Sequence, residues 1–270
     1  MIIINCEQGT PEWHAARAGV ITASTFSQAL EITGGLDAKQ QAFVDAIRAG
    51  KSEAEALLAS GYKKRPTAEG VERALAGEVV GVPSPGSERL AATLAIERIS
   101  GQPYGDTFET FALRRGKEQE QFARMRYEER FGVIVDEQGV ILTDDRLFGA
   151  SVDGLVELAG GMECKVPIDL NKVIAILRTG DLSEYMHQIQ GCMWITGRKW
   201  WDFIMGVPDL ASLNNGNDLY VQRVYRDDNF IEEMELGLLK FAGRVKELEN
   251  FFRAPYSNNQ MAAAPALKAA

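Results

Sequence analysis

Histidine is nearly absent from this chain, with two residues in 270. Cysteine is also scarce: Cys6, Cys164 and Cys192 lie far apart and form no Cys-x-x-Cys pair. Together these absences argue against a zinc site. An odd number of widely spaced cysteines gives no disulfide framework either, and fits a reduced, cytosolic setting. Long apolar runs are missing, and none approaches the roughly 18–20 residues that a membrane span requires. The first residues, Met1-Ile2-Ile3-Ile4-Asn5-Cys6, offer a very short apolar stretch and no basic flank, so no signal peptide is expected. Basic residues are in deficit, 29 Lys and Arg against 38 Asp and Glu, for a net charge of −9. A protein that only coats DNA is expected to be basic. An enzyme that collects divalent cations needs clustered carboxylates, which add negative charge without forbidding a local basic groove.

What is present suits a packed globular protein: 46% hydrophobic and 25% charged residues. The length allows one large domain or two small ones. Thr10-Pro11-Glu12 reads as a helix start, with Thr10 as cap and Pro11 at the first helical position. Gly19–Ala23 breaks that helix, and Ser24 begins the next. Residues 37–60, rich in Ala, Gln, Glu and Leu, read as one or two helices. Gly81–Gly86 reads as a turn, and Ser87–Ser100 as a helix. Leu113–Phe131 is a strongly charged helix. Short β-type runs follow at Val133–Val135, Val140–Thr143, Gly149–Glu157 and Met162–Val166, spaced like a meander. Asp181–Thr196 returns to helix, Trp200–Val207 and Leu219–Tyr225 read as strands, and Asp227–Phe252 as a long amphipathic helix. The order predicts a mixed α/β core.

The chemistry concentrates in Gly149-Ala150-Ser151-Val152-Asp153-Gly154 and Met162-Glu163-Cys164-Lys165. Alternate side chains of a strand share a face, so Glu163 and Lys165 point together and Cys164 points to the core. Ala159-Gly160-Gly161 reads as the hairpin turn that folds Asp153 back beside Glu163. Two carboxylates at one spot repel; a Mg²⁺ ion, which takes hard oxygen ligands, resolves that repulsion. Lys165 is then placed to orient or help deprotonate an attacking water and to stabilise charge on a phosphate. The competing reading is an ordinary Asp-Gly turn beside an exposed cross-strand patch.

Other residues admit the same two kinds of reading. Glu118 and Glu120 either complete a metal shell from a neighbouring helix or solvate its surface. Asp144 and Asp145 either close a turn or supply a further ligand. Met186, Ile189 and Met193 share a core-like helical face, with Tyr185, Gln188 and Cys192 beside it and Gly191 allowing close backbone approach. Gln188 is placed to bond an attacking water or a phosphate oxygen; His187 is either a base or a structural histidine. Trp200 and Trp201 read as the core and rim of a strand, with base stacking the alternative. Arg17 and Ser24, on either side of the Gly19–Ala23 turn, suit a phosphate: a guanidinium fork beside a helix start.

In order along the chain, five blocks carry a family resemblance. They are Glu7–His14 with Arg17 and Gly19–Ser24; Gly116-Lys117-Glu118-Gln119-Glu120; Ser151-Val152-Asp153-Gly154; Glu163-Cys164-Lys165; and Tyr185–Gln190. Together they resemble the lambda-exonuclease family, also called YqaJ-type viral recombinases, within the PD-(D/E)xK nuclease superfamily. The resemblance reaches from the N-terminus to about residue 200. Val152 stands where the superfamily motif has proline. The implied fold is a restriction-endonuclease-like α/β core, a mixed central β-sheet flanked by helices, with an N-terminal helical elaboration. One domain is expected over residues 1–257, with residues 31–105 as a helical insertion or wall and residues 258–270 as a frayed tail.

The resemblance further implies a Mg²⁺-dependent enzyme that degrades the 5′-ended strand of linear double-stranded DNA and leaves a 3′ single strand. It implies two ions, with Mn²⁺ able to substitute, an annealing protein as partner, and a ring-shaped homotrimer in the bacterial cytoplasm. By residue, Asp153, Glu163 and the Cys164 carbonyl bind metal, and a one-residue shift brings Asp144 or Asp145, with Asp144 taken first, to the extra ligand. Lys165 serves the water, Glu120 is favoured over Glu118, and Gln188 matches the helix glutamine. Arg17, Ser24 and Ser151 hold the 5′-phosphate, and Tyr185 and Trp13 lie in the same blocks. Competing readings are an endonuclease, a RecB-like or Cas-associated nuclease, and a non-catalytic DNA-end-binding scaffold. The lack of a cysteine quartet counts against iron–sulfur members, and the intact Asp153/Glu163/Lys165 set counts against the scaffold.

Overall fold

The computed structural model describes residues 1–105, 111–213 and 215–255. The chain opens with β1 (Ile2–Ile4), α1 (Pro11–Arg17), β2 (Ile21–Thr22) and α2 (Phe26–Ala29), the last entered through a 3₁₀ turn at Ala23–Thr25. Next come β3 (Ile32–Thr33), α3 (Ala38–Arg48), α4 (Glu53–Ser60), α5 (Glu69–Leu75), β4 (Val82–Pro83) and α6 (Pro85–Ser100). The helix α7 (Phe111–Phe131) precedes β5 (Val135–Asp136), β6 (Val140–Leu142), β7 (Phe148–Ser151), β8 (Gly154–Val156) and β9 (Gly160–Lys165). The chain continues with α8 (Leu170–Thr179), α9 (Met186–Thr196), β10 (Trp200–Gly206), β11 (Leu219–Tyr225) and α10 (Asp228–Arg253). The tail expected to fray, residues 258–270, lies outside the described residues.

Two compact units result: Met1–Ala29 with the chain from Leu90 onward, and Leu30–Arg89 between them. The second unit holds α3, α4 and α5 and ends at Arg89. Its helices begin on strong local signals. Asp37 and Gln40 form a capping box at α3, and Ser52 and Glu55 form another at α4. Phe43, Val44, Ala56, Val71 and Ala74 make its core. A short ribbon pairs Ile32 with Pro83.

The first unit holds two mixed sheets. One has the order β1-β6-β7-β2, the other β11-β10-β9-β8-β5. In the first, β2 runs parallel to β7 and sets Thr22 opposite Gly149, while β6 and β7 are antiparallel. In the second, β8 and β9 form an antiparallel hairpin, and β10 lies parallel to β9 after the crossover through α8 and α9. That parallel pair needs a long connection, which the helices supply.

The strand expected over Gly149–Glu157 is therefore two strands. Its first half joins one sheet, its second half joins the other, and the chain passes between them at Val152 and Asp153. The expected meander is likewise divided, because β5 pairs with β8 and β6 with β7. Val152, where the superfamily motif has proline, is fully buried at this crossing.

The hairpin turn also falls elsewhere than expected. It is Glu157-Leu158-Ala159, with Glu157 in the left-handed region at φ 51°, and not Ala159-Gly160-Gly161. Both glycines are strand residues, because β10 lays Trp200 and Trp201 against them. A Cβ on Gly161 would stand 2.3 Å from the Trp201 ring, and one on Gly160 would stand 2.1 Å from the Trp200 ring. Trp201 is fully buried and cannot yield. Gly161→Ala should therefore destabilise the protein by about 1–3 kcal/mol, the scale of overpacking in a core. Urea unfolding reads this as a lower midpoint; an unchanged midpoint would show that the tryptophan moves freely.

Candidate active site

Asp153 stands one residue before β8, at the point where the chain has just left the first sheet. Its Oδ2 accepts a hydrogen bond of 2.8 Å from the backbone N–H of Cys164 on β9. A strand residue presents its N–H and C=O on the same edge. The Cys164 carbonyl consequently faces the edge where Asp153 lies, while its thiol is buried in the core with Met162, Ile204 and Val166.

Glu163 is the flanking residue on β9, and it is buried. Its Oε1 accepts from Gln188 Nε2 of α9 at 2.6 Å and from Lys165 Nζ. Its Oε2 is buried without a hydrogen-bond partner. Alternation along β9 thus does what the sequence predicts, with Glu163 and Lys165 together and Cys164 turned inward. Gln188 reaches the cluster because Gly191 lets α9 lie close to the Phe26 ring; a Cβ on Gly191 would stand 2.7 Å from it.

The electrostatics are those of two acids and one base held in too little solvent. Burial and then the charge of Asp153 push the Glu163 carboxyl up to about 7, against the lowering by Lys165. Burial also raises Asp153, against the influences of Lys165, the Cys164 N–H and Arg124. For Lys165, burial favours the neutral form, but the negative charges of Glu163 and Asp153 outweigh it and raise its pKa. Glu120 of α7 acts on Glu163 and Lys165 through space and lines, with Asp153 and Cys164, a groove of about 730 Å³. Glu118 is exposed.

A second cluster lies at the neighbouring end of the first sheet. Arg17, in the last turn of α1, donates from Nη1 to Ser151 Oγ at 2.7 Å. From Nη2 it donates to Thr22 Oγ1 at 3.1 Å and to Ser24 Oγ at 3.3 Å. The Trp13 ring lies 4.3 Å beneath the guanidinium. Burial lowers the Arg17 pKa to about 10, opposed by the charge of Glu97. Thr22 was not singled out from the sequence, although Thr-x-Ser in Thr22-Ala23-Ser24 repeats a hydroxyl at the spacing that shares a face. Ser151 and Asp153 are two residues apart, so their Cα atoms are at most about 7 Å apart.

Other sequence candidates are placed differently. Asp144 is exposed and pairs with the Met1 ammonium, and Asp145 closes a turn by accepting from Leu147 N at 3.0 Å. Neither makes a described bond to Asp153 or Glu163. His187 is half-buried and packs on Phe230 at 5.1 Å, so its surroundings are structural. Tyr185 packs on Phe203 at 4.8 Å at the border of the Glu163–Lys165 cluster. Trp201 is core, and Trp200 forms the rim, capped by Arg223 at 3.6 Å.

The donor set fits a hard divalent cation in kind. It offers two carboxylates, a carbonyl on the same edge, and one buried carboxylate oxygen with no partner. Among the described residues no three His, Cys, Asp or Glu side chains are already gathered at ion-holding spacing. Lys165 and Gln188 instead hold one side of Glu163.

A mixed α/β core with its carboxylates at the fork between two sheets is the arrangement of the restriction-endonuclease-like nucleases. Solved structures carry the likeness further. LHK-Exo in complex with dAMP is 26% identical, with a TM-score of 0.64 over 94% of this chain and 98% of that one. A second structure of LHK-Exo, the alkaline exonuclease from Laribacter hongkongensis, matches at 26% identity and TM-score 0.62, with the same coverage. A phage-related exonuclease from Haemophilus somnus, 11% identical, shares the fold at TM-score 0.50 over 83% of this chain and 99% of that one. No curated protein matches. The family model of the YqaJ-like viral recombinase domain matches residues 12–199, and the chain belongs to that family. Two of these structural neighbours are exonucleases, of one family and one fold with this chain.

The raised Glu163 pKa has a thermodynamic consequence in the metal-free protein. In the unfolded chain the group ionises near 4.5, in the folded one near 7. A raised folded pKa contributes stability that is present below 4.5 and lost as pH rises through 7. With EDTA, wild type should lose about 3 kcal/mol relative to Glu163→Gln between pH 4.5 and 8. Chemical unfolding of both proteins across that range measures it; a pH-independent difference would contradict the burial argument.

Proposed function

We propose that this protein is an exonuclease that hydrolyses the 5′-ended strand of linear double-stranded DNA with Mg²⁺, leaving a 3′ single strand for a strand-annealing partner. One observation carries the reading. Every described side-chain hydrogen bond of the half-buried Arg17 goes to a neutral hydroxyl, and none to a carboxylate. A guanidinium largely withdrawn from water and hydrogen-bonded to no carboxylate is suited to an anion. Ser151 in that cluster lies two residues from Asp153, so a terminal phosphate held there sets the next phosphodiester near the carboxylates.

Asp153, Glu163 and the Cys164 carbonyl would hold Mg²⁺, or Mn²⁺ in its place, with Glu120 as the further acidic group for a second ion. The cation supplies activation of water and neutralisation of phosphate charge. The remaining work belongs to the chain. Gln188 and Lys165 fix the Glu163 carboxylate from one side, leaving Oε2 open. Lys165, with its proton held by Glu163 and Asp153, orients water and stabilises negative charge on the scissile phosphate; it is not the base. Arg17, Ser24 and Ser151 bind the end, with Trp13 as the floor under Arg17 and Tyr185 at the border of the acidic cluster. Water would attack phosphorus in line and pass its proton to solvent, while the opposite P–O bond breaks and the leaving oxygen takes a proton from solvent.

Residue resemblance also leads us to propose a ring of three copies and action in the bacterial cytoplasm, where unpaired Cys6, Cys164 and Cys192 stay reduced. Among the described residues no helix is long and apolar enough to cross a membrane.

Digestion tests the reading. Linear duplexes with a 5′-phosphate or 5′-hydroxyl, and closed circles, are incubated with Mg²⁺ or EDTA. The expected outcome is Mg²⁺-dependent loss of the 5′-ended strand, faster from the phosphate, with circles intact. Lys165→Ala should be slower by about 10²-fold or more, the scale of removing one charge-stabilising donor. Cleavage of circles, or a Lys165→Ala rate equal to wild type, would refute it.

A further inference from the structure

The Arg17 cluster contains a hydroxyl that neither the motif nor the function just described assigns. Thr22, at the end of β2, is buried at 3% exposure. Its Oγ1 lies 3.1 Å from Arg17 Nη2 and 3.2 Å from Ser24 Oγ. Its backbone carbonyl accepts from Thr25 Oγ1 at 2.8 Å, which fixes the turn that carries Ser24. β2 is held in place by parallel pairing with β7, the strand that ends on Ser151.

The hydrogen-bond inventory of these groups sets a direction. A guanidinium only donates, so Thr22 Oγ1 accepts from Arg17 and keeps its own proton to give. Ser24 Oγ is the described acceptor within reach of that buried proton, whereas the exposed Ser24 can give its own proton outward. Ser24 Oγ then accepts twice, from Arg17 Nη2 and from Thr22, and both its lone pairs are used. Its proton is left to point away from the cluster. Ser151 Oγ accepts from Arg17 Nη1 and keeps its proton as well. An anion accepts only, so two hydroxyl protons aimed outward beside a guanidinium form a donor set matched to it. Hydrogen bonds running in one sense also polarise each other.

We propose that Thr22 is a positioning residue for end recognition: it fixes Ser24 as a donor to the 5′-phosphate. The proposal rests on the reading of the Arg17 cluster as the 5′-phosphate site. Thr22 touches neither the phosphate nor the reacting atoms. Without its hydroxyl, Arg17 loses an acceptor, Ser24 loses a donor, and the Ser24 proton is free to turn inward.

The test compares wild type, Thr22→Val, Thr22→Ser and Ser24→Ala on linear duplexes with a 5′-phosphate or a 5′-hydroxyl, in Mg²⁺. Thr22→Val keeps the shape and removes the hydroxyl; Thr22→Ala removes it if the valine variant does not fold. The expected result is a rise of about tenfold in KM for phosphate ends, the scale of one buried hydrogen bond to a charged network. Expected alongside are a kcat within about twofold of wild type and unchanged kcat/KM on hydroxyl ends, with Thr22→Ser restoring wild-type discrimination. In the Ser24→Ala background, removing the Thr22 hydroxyl should change discrimination no further.

Equal slowing on both kinds of end would assign Thr22 a structural role and overturn the proposal, as would failure of serine to rescue. If wild type prefers the phosphate and Thr22→Val prefers it equally, this proposal alone falls. If wild type shows no preference, the 5′-phosphate reading falls and takes this one with it.

Discussion

A single hydrogen bond, from the Cys164 N–H to Asp153 Oδ2, ties together the parts on which the site depends. Asp153 arrives from the first sheet, and Cys164 belongs to a central strand of the second. At this point the chain is changing sheets, so no ladder hydrogen bond is available to the Cys164 amide from the departing strand. The carboxylate takes the ladder's place. In doing so it fixes its own position beside Glu163, turns the Cys164 carbonyl to the same edge, and sets Ser151 two residues away. Acidic site and hydroxyl–guanidinium site are therefore joined through one short stretch of backbone.

The cluster so formed is unfavourable by itself. Two acids lie near one another, Glu163 buried and Asp153 half-buried, and Lys165 relieves only one oxygen of Glu163. The other oxygen is left buried without a partner. Buried polar atoms in native proteins are nearly always satisfied, and exceptions concentrate where something else binds. The Arg17 cluster shows the opposite imbalance, a half-buried cation hydrogen-bonded to neutral hydroxyls. One cluster is short of positive charge and the other of negative charge, and Ser151 and Asp153, two residues apart, belong one to each. In the proposed reading a cation and a phosphate would resolve both. By contrast the buried Asp202, which accepts from Tyr127 and is paired by Arg223, is fully answered and reads as structural.

Much of this was legible from the residues. Thr10 and Pro11, the helical composition of residues 37–60, and the alternation at Glu163, Cys164 and Lys165 are local signals, and local physics honoured them. The division of residues 149–157 between two sheets was not legible, because a run of strand-forming residues says nothing about which neighbours it pairs with. Gly160 and Gly161 misled for a related reason. Their lack of side chains accommodates two tryptophans forty residues away instead of a turn. The short helix α8 was passed over although Asp169 caps it. The role of Gln188 as a ligand of Glu163, and the presence of Thr22 among the Arg17 partners, follow only from tertiary contacts. Asp144 looked eligible by charge and spacing, yet the structure sends it to the N-terminal ammonium.

The central claim is that Asp153 makes the acidic corner a cation site. Calorimetric titration of Mn²⁺ into the metal-free protein, wild type beside Asp153→Asn, tests it most directly. Asparagine retains an oxygen for the Cys164 N–H but lacks the charge. The account predicts saturable binding to wild type that disappears or weakens by at least about tenfold in the variant, the scale of losing one charged ligand. Equal affinity in the two proteins would contradict it.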